Sequence, residues 1–238
     1  MTANEMGDEL EVIFNKVASG DAPGYEDDEL SLILTRAEER FVLQTYSGTN
    51  KLKEAAEETE KSRKDLDELI SNTNITTAST SQTGSLPNGT LYDLPEDFLY
   101  SLAEQVTISS DDECDDGNTL RVKPITHDIY TINIDNPFKQ PDNTLVWRLD
   151  YSRTTTSTDP KRHELITDGT YTISEYRLRY LRKLTGITVD RETPANQVNC
   201  TLNEITHRRI IDIAVEILLE ITVDGRLQTN LLLNQTNE

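Results

Sequence analysis

One helical segment near the end of the chain constrains the fold more than any other feature. Residues 203–222 read NEITHRRIIDIAVEILLEIT, and its apolar side chains recur at helical spacing, as Ile210, Ala214, Ile217 and Ile221 do. A second apolar line widens this stripe, so little of the helix is left for water. Its charges are spaced along the whole length, which argues against a membrane span. We therefore expect the helix to be covered by its own domain or by a neighbouring chain.

The flanks of this segment carry helix start and stop signals. Thr201 and Glu204 have the spacing of a capping box, which satisfies amide donors at a helix start. Gly225 lies just beyond the end, where a left-handed C-cap favours glycine. These signals predict a helix that begins at Thr201 and ends before Gly225.

Composition limits what else the chain can be. Its 238 residues suit one large domain or two small ones, and 35% apolar and 6% aromatic residues are few for a compact enzyme. Cys114 and Cys200 lie far apart, so neither a disulfide framework nor a zinc site is indicated. The first ten residues lack the basic and apolar regions of a secretion signal, which favours a soluble protein made in the cytosol.

The net charge of −20 is unevenly distributed. Residues 1–70 carry net −10 and residues 71–118 carry net −9, whereas residues 119–238 are nearly balanced at net −1. Direct DNA binding needs a basic face that neutralises phosphates, and this distribution argues against one. The acidity either keeps the chain soluble or marks the part that partners leave uncovered.

Three helices are predicted at the N-terminus. The first begins at a Thr2–Glu5 capping box and ends near Gly20, the second covers 26–46, and the third covers 51–70. Their apolar stripes are thin, which is typical either of a modest bundle or of helices at a subunit boundary.

A polar tract and an acidic loop follow these helices. Residues 71–90 contain no charge and few apolar groups, which indicates a flexible connection or an arm that orders against a neighbour. Residues 111–118, DDECDDGN, suggest a calcium loop, but Lys123 falls where an EF-hand needs its bidentate glutamate. We interpret this segment as a solvated loop.

Alternation of apolar and polar residues predicts strands at 119–126, 143–151, 162–167 and 170–183, and one or two helical turns follow His127. The fold class is therefore α+β: N-terminal and C-terminal helices form a helical bundle with an inserted antiparallel β-sandwich or small barrel. The expected parts are a helical region at 1–72 that packs with 200–238, a polar linker or arm at 73–93, a β-rich domain at 94–199, and a long helix with its tail at 200–238.

The sequence contains no strong catalytic signature. His127, His163 and His207 each stand outside a recognisable metal or catalytic motif, and nucleotide-binding and nucleophile-elbow motifs are absent. Carboxylates are plentiful, but their spacing does not support a two-metal nuclease. We predict no catalytic residues, no metal and no cofactor.

Seven segments together resemble a known group of virion proteins. These segments are LPEDFLY (94–100), KPITHD (123–128), NPFKQP (136–141), WRLDY (147–151), HELI (163–166), YRLRYLRK (176–183) and CTLNEITHRRIIDIAVEILLE (200–220). In order and spacing they resemble the neck and head-to-tail connector ring proteins of crAss-like tailed bacteriophages. The resemblance covers about 91–220 and leaves the N-terminal helices outside it.

The resemblance implies a non-enzymatic subunit of a homo-oligomeric ring in the phage neck, made in the host cytoplasm and located in the virion. Portal-like twelve-fold symmetry, contact with the portal and with other neck or tail rings, and passage of DNA without specific binding are implied too, with no membrane involved. An alternative is a transient assembly factor that binds other virion proteins, and an enzyme is a third. We expect the subunit interface to include Trp147, Arg148, Tyr176, Arg177, Arg179, Tyr180, Lys183 and Ile217.

Overall fold

The computed structural model describes residues 1–17, 24–48, 59–81, 85–111, 115–151 and 160–222. The chain divides into two compact units, one made of Met1–Leu69 with Leu184–Glu238 and the other of Ile70–Lys183. Within the described ranges, no helix is long and apolar enough to cross a membrane. The fold is mixed α+β, as predicted.

Helices dominate the first unit. They are α1 (Ala3–Val17), α2 (Asp27–Ser47), α3 (Glu60–Asp65) and, near the C-terminus, α5 (Glu204–Thr222). Helix α4 (His127–Asn133) belongs to the second unit. The predicted capping box of α1 is confirmed, because the Thr2 amide donates to Glu5 at 2.8 Å and the Glu5 amide donates to the Thr2 hydroxyl at 3.3 Å. An equivalent box formed by Glu26 and Glu29 begins α2.

The start of α5 differs from the prediction. Its cap is Asn203, whose side chain accepts from the Ile205 amide at 3.2 Å. Thr201 lies two residues before this cap, and its hydroxyl instead faces the Glu38 carboxylate. Glu204 pairs with the N-terminal amine of Met1 at 3.0 Å rather than closing a capping box. The predicted C-cap at Gly225 lies outside the described residues.

Helix α5 packs against α1 and α2. Ile210, Ala214 and Leu218 are buried, which accounts for most of the predicted stripe. Ile217 is only half-buried and Ile221 is 60% exposed, so the apolar surface extends beyond what the described neighbours cover. That these helices form one bundle stays a prediction.

The third predicted helix ends earlier than its pattern suggested. Residues 51–58 lie outside the described residues, α3 ends at Asp65, and a 3₁₀ turn spans Asp67–Leu69. The chain enters strand β1 (Ile70–Ile75), which pairs with a partner strand along its whole length. This pairing satisfies the backbone of Ile70 in a sheet rather than in a helix.

The second unit contains one curled sheet, which has seven strands within the described residues, in the order β1-β7-β3-β4-β5-β6-β2. The strands after β1 are β2 (Gly89–Asp93), β3 (Phe98–Ser109), β4 (Thr119–Pro124), β5 (Leu145–Tyr151), β6 (Arg162–Ile166) and β7 (Thr172–Arg182). The predicted antiparallel sandwich or barrel is wrong in detail, because β4 and β5 run parallel in a single sheet. Parallel neighbours need a crossover, and α4 (His127–Asn133) lies in that connection.

The polar tract at 71–90 is not simply a linker. Its first residues belong to β1, where Asn72 lies opposite Arg179 and Asn74 opposite Arg177. Its last residues begin β2. Asparagine and threonine are tolerated here because β1 lies at the sheet edge, with alternate side chains exposed.

Each face of the sheet has its own core. The inner face carries a large cluster that includes Val106, Val146, Leu165, Tyr176 and Leu178. The outer face carries a smaller cluster, Ile125, Trp147, Leu149 and Ile166, covered by side chains that include Tyr130 and Ile134 from α4 and the residue after it. Helix α4 thus covers one end of the outer face, over β5 and β6.

Candidate functional site

The eight residues expected at a subunit interface lie in different environments. Four are buried within the chain: Trp147, Arg148, Tyr176 and Tyr180. Arg177, Arg179 and Lys183 are exposed, and Ile217 is half-buried on α5. A buried side chain contributes to an interface only indirectly, so direct contacts with a neighbour can come from the three exposed cations and part of Ile217.

Strand β7 places its residues as the alternation predicted up to Tyr180. Tyr176, Leu178 and Tyr180 point into the inner core, and Arg177 and Arg179 point outward. Lys183 lies one residue beyond the end of β7 at Arg182. It donates through Nζ to the Glu96 carbonyl at 2.7 Å.

Residues from four adjacent strands align around these arginines. Asn74 on β1 lies opposite Arg177 on β7, Arg177 lies opposite Gln105 on β3, and Gln105 lies opposite Arg121 on β4. A second row joins Asn72 to Arg179. We call this surface the arginine face, and its members are Asn72, Asn74, Gln105, Arg121, Arg177 and Arg179. All six are exposed.

The arginine face has a positive charge. Glu175, two residues before Arg177 on β7, contributes a carboxylate to this face. That carboxylate pairs with Nη2 of Arg177 at 2.7 Å. Within the described residues, Arg121 and Arg179 form no ion pair. Two guanidinium groups are therefore available to bind an anionic group from outside the chain.

A network of buried polar side chains lies on the inner face. Arg148 forms an ion pair with Glu104 at 3.1 Å and contacts Nε2 of His163 at 3.0 Å. The Tyr176 hydroxyl donates to Glu104 at 2.8 Å, and Nδ1 of His163 lies 2.8 Å from that hydroxyl. This pattern fits an imidazole that donates from Nδ1 to Tyr176 and accepts at Nε2 from Arg148. The network links β3, β5, β6 and β7.

Burial, followed by the charge of Glu104, raises the pKa of Tyr176 far above its usual range. The hydroxyl therefore stays protonated and serves as a hydrogen-bond donor. The side chains of Arg148, Glu104 and His163 are each at most 9% exposed. Side chains this enclosed, and already bonded to one another, act as a structural lock between strands rather than as an open reaction site.

Two other titratable features of the sequence, His207 and the acidic loop at 111–118, form no metal site among the described residues. His207 is buried, and its Nε2 lies 3.0 Å from the Leu202 carbonyl. The acidic loop falls partly outside the described residues, at 112–114. In the part of the chain that the structure describes, no group of three or more histidine, cysteine or acidic side chains is arranged to hold a metal ion.

Four of the six residues of the arginine face were not predicted from the sequence, and neither were Glu104 and His163 as members of the inner network. Asn72, Asn74, Gln105 and Arg121 belong to strands whose neighbours are distant in sequence, so no local pattern joins them to Arg177. Glu104 and His163 lie on opposite sides of two intervening strands in the sheet order. The available signal was the unusual presence of charged residues at inward positions of strongly alternating strands.

The sequence is similar to those of bacteriophage ring proteins. A family model described as "Phage tail ring protein 3/4" matches residues 1–228. The chain is 29% identical to "Ring protein 4/5" of Bacteroides phage crAss001, over 100% of both chains. It is 27% identical to "Ring protein 3" of the same phage, over 92% of this chain and 95% of the relative.

These matches define a class of protein, a structural virion protein that assembles as an oligomeric ring. Within that class, the match over residues 1–228 identifies one family. The chain belongs to the phage tail ring protein 3/4 family, and the resemblance to crAss-like phage ring proteins is confirmed.

Proposed function

We propose that this ring lies in the neck of the virion, next to the portal, where it joins the capsid to the tail and forms part of the DNA conduit. The observation that carries the proposal is the family match over residues 1–228, together with two relatives named as rings in one phage. In this role the chain is not an enzyme. Twelve-fold symmetry, matching a portal, is part of the proposal.

Two further observations support a structural role. The relatives are named for rings and not for a reaction. Among the described residues, the buried titratable side chains around Glu104 and Arg148 are bonded to one another. Both observations are expected of a structural subunit with a rigid fold.

The charge distribution supports the conduit. Residues 1–118 carry net −19 of the net −20, and packaged DNA is also a polyanion. Like charges penalise contact, so an acidic lumen allows the duplex to slide without adhering. We place the acidic helices and the 111–116 loop at the lumen or on the outer wall, and the balanced part of the chain in contact with other proteins.

Electron microscopy of virions tests the neck position directly. The proposal expects a ring of this chain between the portal and the tail, with the copy number of the portal. A ring elsewhere in the tail would contradict the neck position, and a positively charged lumen wall built from residues 119–238 would contradict the conduit. A protein that binds other virion proteins yet is absent from particles would instead be a transient assembly factor.

The non-binding of DNA has its own test. Purified protein is expected not to retain duplex DNA at 50 mM salt, because it offers few phosphate-neutralising clusters. Tight binding that weakens steeply with added salt would overturn this part of the proposal.

A further inference from the structure

We propose that the arginine face binds carboxylates of the next copy of this chain in the ring, an inference that rests on the proposed function. The face contains guanidinium groups from β4 and β7 and amides from β1 and β3. Arginine binds carboxylates in a planar, two-pronged arrangement, and neighbouring amides donate further hydrogen bonds. A protein surface rich in Asp and Glu is the matching partner.

The two halves of the outer face of the sheet differ, and the difference indicates that the arginine face binds a partner outside the chain. The outer face has two halves that meet at β4 and β5, where Arg121 lies beside Leu145. The half over β5 and β6 carries the apolar cluster that contains Trp147 and Ile166, against which Tyr130 of α4 and Ile134 pack. The half over β1, β7, β3 and β4 carries amides and arginines, all exposed. One end of the outer face is thus covered by the chain itself, whereas the other end is exposed and positively charged.

The spacing of the cations suits a second protein surface. Strands lie about 4.8 Å apart, so Arg121 and Arg177, separated by β3, project about 10 Å from each other. Arg179 lies two residues along β7, about 7 Å from Arg177. Carboxylates on successive turns or strands of a partner have comparable spacings, so several can bind at once.

Charge complementarity identifies the partner as another copy. Each chain carries 43 acidic and 23 basic residues, so every copy presents many carboxylates and repels its neighbours overall. Ring contacts are heterologous, which means that one face of a subunit meets a different face of the next. A positive patch placed against acidic residues of the neighbour overcomes the repulsion and sets the direction of assembly.

The test uses the purified full-length chain and three single variants. Arg121→Glu and Arg179→Glu reverse charge on the arginine face, and Arg208→Glu makes the same change at an exposed site on α5. Oligomer mass is measured by sedimentation velocity across protein concentration and between 50 and 500 mM salt. We expect the two face variants to associate at least about tenfold more weakly than the wild type, and Arg208→Glu to match the wild type.

The outcomes separate this inference from the proposed function. Wild-type rings with unaltered assembly of both face variants would overturn the arginine face and leave the ring proposal standing. Absence of the chain from virions would overturn the proposed function itself. If wild-type rings form only in virions, a neck reconstruction replaces the solution assay: Arg121 and Arg179 within 4 Å of a neighbouring copy's carboxylates support the inference, and arginines in solvent overturn it.

Two controls complete the design. At protein concentrations where copies do not associate, thermal melts of the face variants are expected to match the wild type, because both arginines are exposed. A lower melting temperature under those conditions assigns the face to folding instead. DNA retention that the wild type shows and Arg179→Glu loses would make the face a nucleic-acid surface and overturn the inference.

Discussion

Arg148 on β5 forms an ion pair with Glu104 on β3 at 3.1 Å, although strand β4 lies between their strands. The contact is possible because both side chains project into the curled inner face, next to His163 and Tyr176. Both side chains of the pair are buried. It therefore constrains the curvature of the sheet, since flattening the sheet would separate the two charges.

Removing one member of this pair should destabilise the fold strongly. Glu104→Gln leaves Arg148 buried beside His163 without its carboxylate, and we expect a loss of about 3–5 kcal/mol in the free energy of unfolding. Chemical denaturation measures it. Asp150→Asn is the control, because the Asp150 side chain is 79% exposed and its contact with Arg148 is longer, at 3.5 Å. Equal losses in the two variants would show that the buried pair is not what constrains the sheet.

The outer core should depend on Trp147. Trp147→Ala removes a side chain that is 2% exposed and packs edge-on against Tyr130 of α4. The resulting cavity should cost about 3–5 kcal/mol. Phe138→Ala is the matched aromatic control, because Phe138 is 97% exposed and its loss should change stability by less than about 0.5 kcal/mol. A thermal melt of Trp147→Ala that matches the wild type would contradict this account of the second core.

The terminal helix offers a comparison of two isoleucines eleven residues apart. Ile210 is fully buried, and Ile210→Ala should destabilise by about 2–5 kcal/mol. Ile221 is mostly exposed, so Ile221→Ala should leave the stability of the free chain nearly unchanged. Denaturant midpoints at low protein concentration, where copies do not associate, test both. A large loss in Ile221→Ala would mean that this end of α5 is covered by residues outside the described ranges.

Glu38 gives the stability a defined dependence on pH. Burial raises its pKa, an effect that hydrogen bonds from Cys200 and Thr201 partly oppose. Because the pKa of Glu38 is higher in the folded state than in the unfolded state, ionisation of this group destabilises the fold. The loss of stability develops as pH rises from the unfolded-state pKa, about 4.3, through the folded-state pKa. Glu38→Gln should therefore be more stable than the wild type at pH 7, with the difference vanishing below about pH 4. Melts across pH check it.

The control for that measurement is the neighbouring acid. Glu39→Gln removes the same charge at an exposed position on α2, and Glu39 is the smallest of the causes that raise the pKa of Glu38, so this variant should alter the pH profile less than Glu38→Gln does. A Glu38→Gln variant that is less stable than the wild type at pH 7 would show that the ionised carboxylate is stabilising, contrary to the effect of its burial.

Local chemistry in the sequence determined the ends and faces of individual elements. The Thr2–Glu5 box begins α1, Thr126 caps α4, and the alternation through Tyr176 sends arginines outward. These features depend on residues a few positions apart, whose geometry the backbone period fixes. Family membership was also readable, because the order of short motifs survives where each motif alone is weak.

Tertiary structure alone decided which strands are neighbours. The uncharged tract that begins at Ser71 is typical of a linker, yet its first residues, up to Ile75, form a strand because β7 offers a partner edge. The parallel pairing of β4 with β5 depends on a helical crossover about 20 residues long, and the Arg148–Glu104 pair depends on sheet curvature. Hydrogen bonding between strands acts across any sequence distance, so pairing and curvature follow from the whole sheet and not from any one segment of it.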